Sequence, residues 1–290
     1  MDEEKRLRLY PTKDFKLPID LLSQKIFDAD FSSGNRLEFE LLESRKRGIT
    51  SKITILNGSG EQLTEFDRAV LNAALSEIAN GNKTFTTAVI FRHLGGNRLT
   101  DNMRRAILDS FNRLSVVRVA VEAKEAHKKK IIDAPFDGEF NGYLLWNESV
   151  KATINGQELD AIHCGKTSIS FFNADLHDQI ISCPIELLQA PVKSTPRNIA
   201  LNHYLLRRSL SIKGSNLLAE SNKHVKPLCK VITFEDLYKH CGFDGDKKID
   251  RQHARETTEK ILKFLVENDV IKNFEFTKKD GKFYSIEIFL

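Results

Sequence analysis

One stretch of this chain occurs twice, and the duplication constrains the fold more than any other feature. Phe85-Thr86-Thr87-Ala88-Val89-Ile90-Phe91-Arg92-His93-Leu94-Gly95 matches Ile232-Thr233-Phe234-Glu235-Asp236-Leu237-Tyr238-Lys239-His240-Cys241-Gly242 without a gap, sharing Thr, His and Gly and keeping aromatic and basic positions. The match extends outwards. Leu71, Asn72 and Leu75 in the preceding segment correspond to Leu201, Asn202 and Leu205, and Ile107 and Val116-Val117 in the following one to Ile261 and Val270-Ile271. Self-similarity of this kind points to one structural unit used twice.

Local signals give each copy the same order of elements. In the first, Thr64-Glu65-Phe66-Asp67 reads as a capping box with Asp replacing the usual Glu or Gln, opening a helix that stops near Gly81. A short helix over residues 87–94 ends at Gly95-Gly96, and a third runs from the N-cap Thr100 to about Leu114. The β-branched run 115–121 reads as a strand, and further strand signals lie at 143–146 and 151–154, with Asn155-Gly156 turning into 158–162. In the second copy, helices are expected over 197–212, 233–241 and 250–268, then strands over 271–276 and 283–289 joined through Asp280-Gly281. Helix, short helix, glycine-ended turn, longer helix and a two-stranded β wing make a winged helix-turn-helix, whose third helix fits a major groove. The expected fold class is therefore α+β, with two tandem winged helix-turn-helix domains and an additional β-rich segment. Residues 1–60 form an N-terminal extension whose hairpin carries a basic tip, Arg45-Lys46-Arg47; residues 61–183 form the first winged-helix domain with a β-rich insertion; the proline-marked stretch 184–195 is the linker; and residues 196–290 form the second domain.

Charge distinguishes the C-terminal third from the rest of the chain. The 290 residues carry 44 Lys and Arg against 40 Asp and Glu, but residues 196–290 hold 18 against 13, and residues 1–195 hold 26 against 27. The second domain is the basic one. There is no signal-peptide pattern and no run of 18 apolar residues, so a soluble, cytoplasmic protein without a membrane partner is expected. Four cysteines spaced by 19, 46 and 12 positions fit neither a disulfide scaffold nor paired zinc ligands, and reduced thiols are expected.

Enzyme signatures are missing. No G-x-x-x-x-G-K-[ST] loop, G-x-G-x-x-G fingerprint or G-x-S-x-G elbow is present, and none of the eight histidines stands two residues from another, as a metal-dependent strand-nicking site requires. The expectation is a non-enzymatic protein with no cofactor and no metal.

Three blocks carry a family resemblance: Leu63-Thr64-Glu65-Phe66-Asp67-Arg68-Ala69-Val70-Leu71, then Arg197-Asn198-Ile199-Ala200-Leu201-Asn202-His203-Tyr204-Leu205-Leu206-Arg207-Arg208, and the final helix and wing. Over residues 60–290 the chain resembles the plasmid replication initiators built from two tandem winged-helix domains. That resemblance implies binding of double-stranded DNA at repeated origin sites, opening of adjacent DNA, host replication proteins as partners, and either a monomer or a homodimer. Residues 1–60 and 131–182 have no counterpart in the winged-helix pattern. A winged-helix transcriptional regulator is the alternative, and a nucleic-acid-processing enzyme a more distant one.

Helical periodicity selects the residues that would read DNA. Met103, Ile107, Ser110 and Leu114 form the inward stripe of one long helix, leaving Arg105 and Asn112 outward and Arg104 on the flank. In the other, Ala254, Thr258, Ile261 and Leu265 point inward and Gln252, Arg255 and Lys263 outward. Arg251, Gln252 and Arg255 are base-edge candidates, because Arg can bond guanine and Gln adenine in a bidentate manner. Lys278, Lys279 and Lys282 on the wing are candidates for phosphate contact. Lys128 to Lys130 read as an exposed basic loop, Arg207 and Arg208 as either DNA contacts or an interface brace, His93 and His240 as helix-end residues suited to the macrodipole, and Trp146 and the phenylalanines as core.

Overall fold

A computed structural model of the chain describes residues 7–8, 14–18, 21–28, 31, 34–44, 48–129, 139–154, 157–165, 180–221, 230–243 and 248–290. It is a mixed α/β structure with several small, mainly antiparallel sheets. Two stretches share one order of elements. The first contains α2 (Glu65–Ala79), β5 (Thr84–Thr86), α3 (Thr87–His93), α4 (Asp101–Ser115) and the hairpin β8 (Asn147–Ile154) with β9 (Gln157–Cys164). The second contains α6 (Pro196–Ser221), β11 (Val231–Thr233), α7 (Phe234–His240), α8 (Lys248–Glu267) and the hairpin β12 (Asn273–Lys279) with β13 (Lys282–Phe289). The short strand pairs with the second strand of the hairpin in both, giving the orders β5-β9-β8 and β11-β13-β12.

The repeated sequence performs the same work in each unit. Thr86 and Thr233 cap the short helices, their side chains accepting from the Val89 and Asp236 amides at 3.3 and 3.1 Å. Each such cap contributes about 1 kcal/mol. The helices stop at Gly95 and Gly242, which adopt φ of +80° and +71°. At Gly95 a side chain is doubly excluded, since a Cβ would lie 1.9 Å from the Leu188 carbonyl oxygen.

The long helices differ from the sequence alignment in register. The buried residues are Met103, Ile107, Ser110, Phe111 and Leu114 in α4, and Ala254, Thr258, Ile261, Leu262 and Leu265 in α8. The spacing is identical when Ile107 is matched to Thr258 rather than to Ile261, a shift of nearly one turn. Helix periodicity places the stripe but leaves its register open to such a slip. A second correction concerns the strand after α4. β6 (Val117–Glu122) is not the counterpart of β12: it pairs with β4 (Ile49–Asn57) in a separate sheet ordered β3-β4-β6-β7, with β3 spanning Arg36–Ser44 and β7 Glu139–Tyr143. Alternation puts Val117, Val119 and Val121 inward against Ile53 and Ile55. The hairpin equivalent to β12-β13 is β8-β9, inside the segment 131–182 that had no expected counterpart.

The N-terminal region is woven into this framework. β1 (Leu7–Arg8) runs parallel to β5, and β2 (Asp14–Pro18) pairs with β10 (Ile180–Pro184). Helix α1 (Leu21–Asp28) buries Ile26 and Phe27. The proline-rich junction after β10 is packed: a 3-10 turn, Ile185–Leu188, buries Ile185 and Leu188, and the Leu188 carbonyl accepts from Asn202 Nδ2 at 2.6 Å. The helix expected over 197–212 runs on to Ser221.

A buried polar cluster ties α2 to α6. Glu65 Oε1 accepts from His203 Nδ1 at 2.7 Å and Arg207 Nε at 3.0 Å, while Oε2 accepts from Arg207 Nη2 at 3.1 Å. His203 Nε2 lies 3.0 Å from Asn72 Nδ2, which donates to it when the ring is neutral. Burial disfavours the imidazolium and the guanidiniums of Arg207 and Arg68 reinforce this, so His203 sits below its ordinary pKa despite Glu65. Burial alone would raise the Glu65 carboxyl, but Arg207, the His203 bond and Arg68 hold it well below the usual carboxylate range. Both groups therefore take up protons more readily in the unfolded chain. The sign follows: stability falls as pH drops below the ordinary His value, and falls further below that of Glu. Thermal unfolding between pH 7 and 5 should show the first part, and His203→Gln, which keeps a donor and an acceptor but does not titrate, should flatten it. An unchanged slope would remove His203 as the source.

Candidate nucleic-acid interface

Two of the second unit's candidates, Arg255 of α8 and Lys278 of β12, meet on one ring of the β12-β13 hairpin. Arg255 places its guanidinium carbon 4.4 Å from the Phe283 ring centre, and Lys278 its Nζ 4.7 Å from the same ring. Arg251 lies over Tyr238 at 5.8 Å, and Lys279 over Tyr284 at 5.7 Å. Gln252 is exposed and donates to Glu256 at 2.9 Å; Lys263 is paired with Glu259 at 2.7 Å. Lys282 is exposed and stands across the strand from Lys279. Between them Asp280 and Gly281 both have positive φ, 52° and 73°, as a type I′ turn requires. A groove of about 500 Å³ beside this surface is lined by Phe234, Tyr238, Arg251, Phe283 and Tyr284 among others.

The first unit builds the equivalent place with acids. In the corrected register Arg104 corresponds to Arg255. Arg104 is ion-paired with Asp101 and approaches Asp160 of β9 at 4.0 Å. Asp160 is also bound by Lys151 of β8, whose hydrogen bond and charge, with Arg104 beyond, hold its carboxyl below the ordinary value. Arg105 and Asn112 are exposed, and Arg105 donates to Asn102 at 2.8 Å. Over the described strands this hairpin carries Glu148, Glu158 and Asp160 against Lys151. A cation resting on a neutral ring keeps its full charge for a phosphate or base, whereas one between carboxylates must first give them up.

Other sequence expectations resolve differently. Of the expected basic loop Lys128 to Lys130, Lys128 ends helix α5 (Lys124–Lys128) and Lys129 lies in the turn after it, both exposed, with Lys129 paired to Glu125 and Lys124 to Glu139; Lys130 and the tip Arg45-Lys46-Arg47 lie outside the described residues. Arg207 is buried in the α2–α6 cluster, so bracing is its role, whereas Arg208 is half-buried. His93 does not sit at a solvated helix end. It is fully buried and bonded to Glu77 of α2. Trp146, expected in the core, is 40 % exposed, because it occupies the turn between β7 and β8 and meets His163 edge-on. Cys164, Cys183 and Cys241 are buried and form no disulfide, and burial pushes the Cys164 thiol up to about 12. Among the described residues no group of three His, Cys, Asp or Glu side chains could hold a metal ion, and no helix is long and apolar enough to cross a membrane.

Helical periodicity does not find Phe283, Tyr238 or Tyr284. A signal exists for one of them: a two-residue Asp-Gly turn makes Lys279 and Lys282 neighbours and places Lys278 opposite Phe283.

No protein-family model matches the chain, and no curated protein does. Among solved structures it is similar to two crystal structures of RctB domains 2 and 3. One, of selenomethionine derivatives, has a TM-score of 0.40 and 13% identity over 88% of this chain and 90% of that one. The other has a TM-score of 0.43 and 11% identity, covering 88% of this chain and 92% of that one.

Proposed function

We propose that this chain is a non-enzymatic, sequence-specific duplex-DNA-binding protein of two tandem winged helix-turn-helix domains, which initiates plasmid replication by binding repeated origin sites. The observation that carries the DNA-binding reading is the meeting of Arg255 from α8 and Lys278 from the adjoining hairpin on the Phe283 ring, with Arg251, Gln252, Lys279 and Lys282 exposed on the same two elements. In this reading α8 enters a major groove and the hairpin lies along the backbone. Replication initiation, rather than promoter control by the same fold, rests on the sequence resemblance, and directly repeated sites of about twenty base pairs next to the gene would favour it. Host replication proteins would then be further partners.

Two tests separate gripping from reading. Neutralising Lys278, Lys279 and Lys282 together should weaken binding to specific and unrelated duplexes alike, and should lower the salt slope by about 0.9 for every phosphate that these lysines neutralise in the complex. A fluorescence titration across salt concentrations measures this, and an unchanged slope removes the hairpin from the interface. Arg255→Ala and Gln252→Ala should each cost about 1 to 3 kcal/mol on the preferred site and relax discrimination at one base pair. Equal losses on preferred and scrambled duplexes would instead mean that both side chains touch only the backbone.

A further inference from the structure

The two units differ at the junction between the long helix and its hairpin. With α4 and α8 aligned on their buried stripes, Arg104 and Arg255 occupy the same helical position. Strand pairing aligns the hairpins independently: Thr86 faces Ala161 and Thr233 faces Ser285, so Leu159 and Asp160 correspond to Phe283 and Tyr284. Arg104 therefore meets Asp160, which aligns with Tyr284, whereas Arg255 meets the Phe283 ring, which aligns with Leu159.

We propose that Phe283 is a positioning residue for base recognition, holding the Arg255 guanidinium and the Lys278 ammonium in one arrangement so that helix and hairpin meet DNA as a single surface. This rests on the reading of α8 as the helix that enters the groove. Phe283 is suited to the task because its own place is fixed. Its ring centre lies 6.2 Å from that of Phe234 and 5.8 Å from that of Phe276, both in edge-to-face arrangements. Phe234 is buried at the start of α7, and Phe276 lies on the neighbouring strand β12. The ring is thus anchored through residues of α7 and the hairpin and carries a cation from α8 and one from β12. A flexible arginine loses side-chain freedom when it bonds a base, and a ring that has already restricted it lowers that cost. A carboxylate would restrict Arg255 equally well, but would compete with the base for the same donors. The ring offers no lone pair in their place.

The test is a double-mutant cycle in the full chain. The probe is the duplex segment that the wild-type chain protects in DNA flanking its own reading frame, measured against a scrambled duplex of the same composition. Phe283→Leu should lose about 10-fold in preference for that segment. Adding Phe283→Leu to Arg255→Ala should cost little more than Arg255→Ala alone, because the ring acts through the arginine. Phe283→Tyr, which keeps the ring, should stay near wild type. Phe283→Met serves as a second ringless variant of similar volume if the leucine variant unfolds, and thermal unfolding of every variant reports any weakening of the packing separately. The proposal is overturned if the ringless variants retain full preference, or if their losses simply add to that of Arg255→Ala. Should Arg255→Ala itself bind and discriminate like wild type, α8 is not the reading helix and the proposal falls with that reading; additive losses beside a defective Arg255→Ala sink the positioning role alone.

Discussion

Glu65→Ala should destabilise the folded chain by about 3–5 kcal/mol, the scale expected when one partner of a buried ion pair is removed. The substitution leaves the Arg207 guanidinium buried without the carboxylate that accepts two of its bonds, and takes from His203 the acceptor of its Nδ1 proton. It also withdraws the negative charge of Glu65 from Arg68, a fully buried arginine stacked over Phe27 at 5.3 Å. The double variant Glu65→Ala, Arg207→Met should recover part of the loss, since exchanging a buried pair for apolar groups costs less than breaking it. Denaturant titration measures both. A loss below about 1 kcal/mol for Glu65→Ala, the size of an exposed pair, would mean that water reaches the cluster. Because Glu65 belongs to α2 and both His203 and Arg207 to α6, the cluster also ties the two units to each other.

Affinity should depend on both units acting at once. Two linked modules bind the second site at high effective concentration, so disabling either should lower the affinity of the full chain by about 10² or more without abolishing recognition by the other. Arg105→Ala combined with Asn112→Ala should disable the first unit, and Arg251→Ala combined with Arg255→Ala the second. The charge clamp makes a finer prediction. Arg104→Ala alone should cost less than Arg105→Ala, because Asp101 and Asp160 already engage Arg104. If the first-unit variant binds like wild type, α4 is not a reader, and its exposed face belongs to dimerisation or to a protein partner.

Elements set by local chemistry are legible in the sequence. Thr64, Thr86, Thr100 and Thr233 each cap the helix that follows, and Asp67 completes the capping box at Thr64. Asp67 does more than periodicity could suggest: one oxygen closes the cap while the other takes Arg113 of α4 at 2.7 Å. The buried faces of α4 and α8 follow from 3.6-residue spacing, which says nothing about register between copies; hence the mismatch of Ile107 with Ile261. Long-range pairing is the larger obstacle. Val117 to Val121 reads as a strand from its own residues, but whether it joins β5 or β4 depends on partners sixty residues upstream that alternate just as well. For the candidate interface, the basic residues are visible in the sequence and their neutral or acidic neighbours are not. Arg104 and Arg255 look alike in sequence and differ in what stands beside them, Asp101 of α4 and Asp160 of β9 in the one case and Phe283 of β13 in the other.

Footprinting of the full chain on the DNA that flanks its own reading frame tests the central claim most directly. The account predicts protection of a defined sequence in two neighbouring major-groove segments about one helical turn apart, roughly 10 base pairs centre to centre, for each bound chain. Protection that spreads evenly along the DNA and vanishes with modest salt, or none at all, would contradict it.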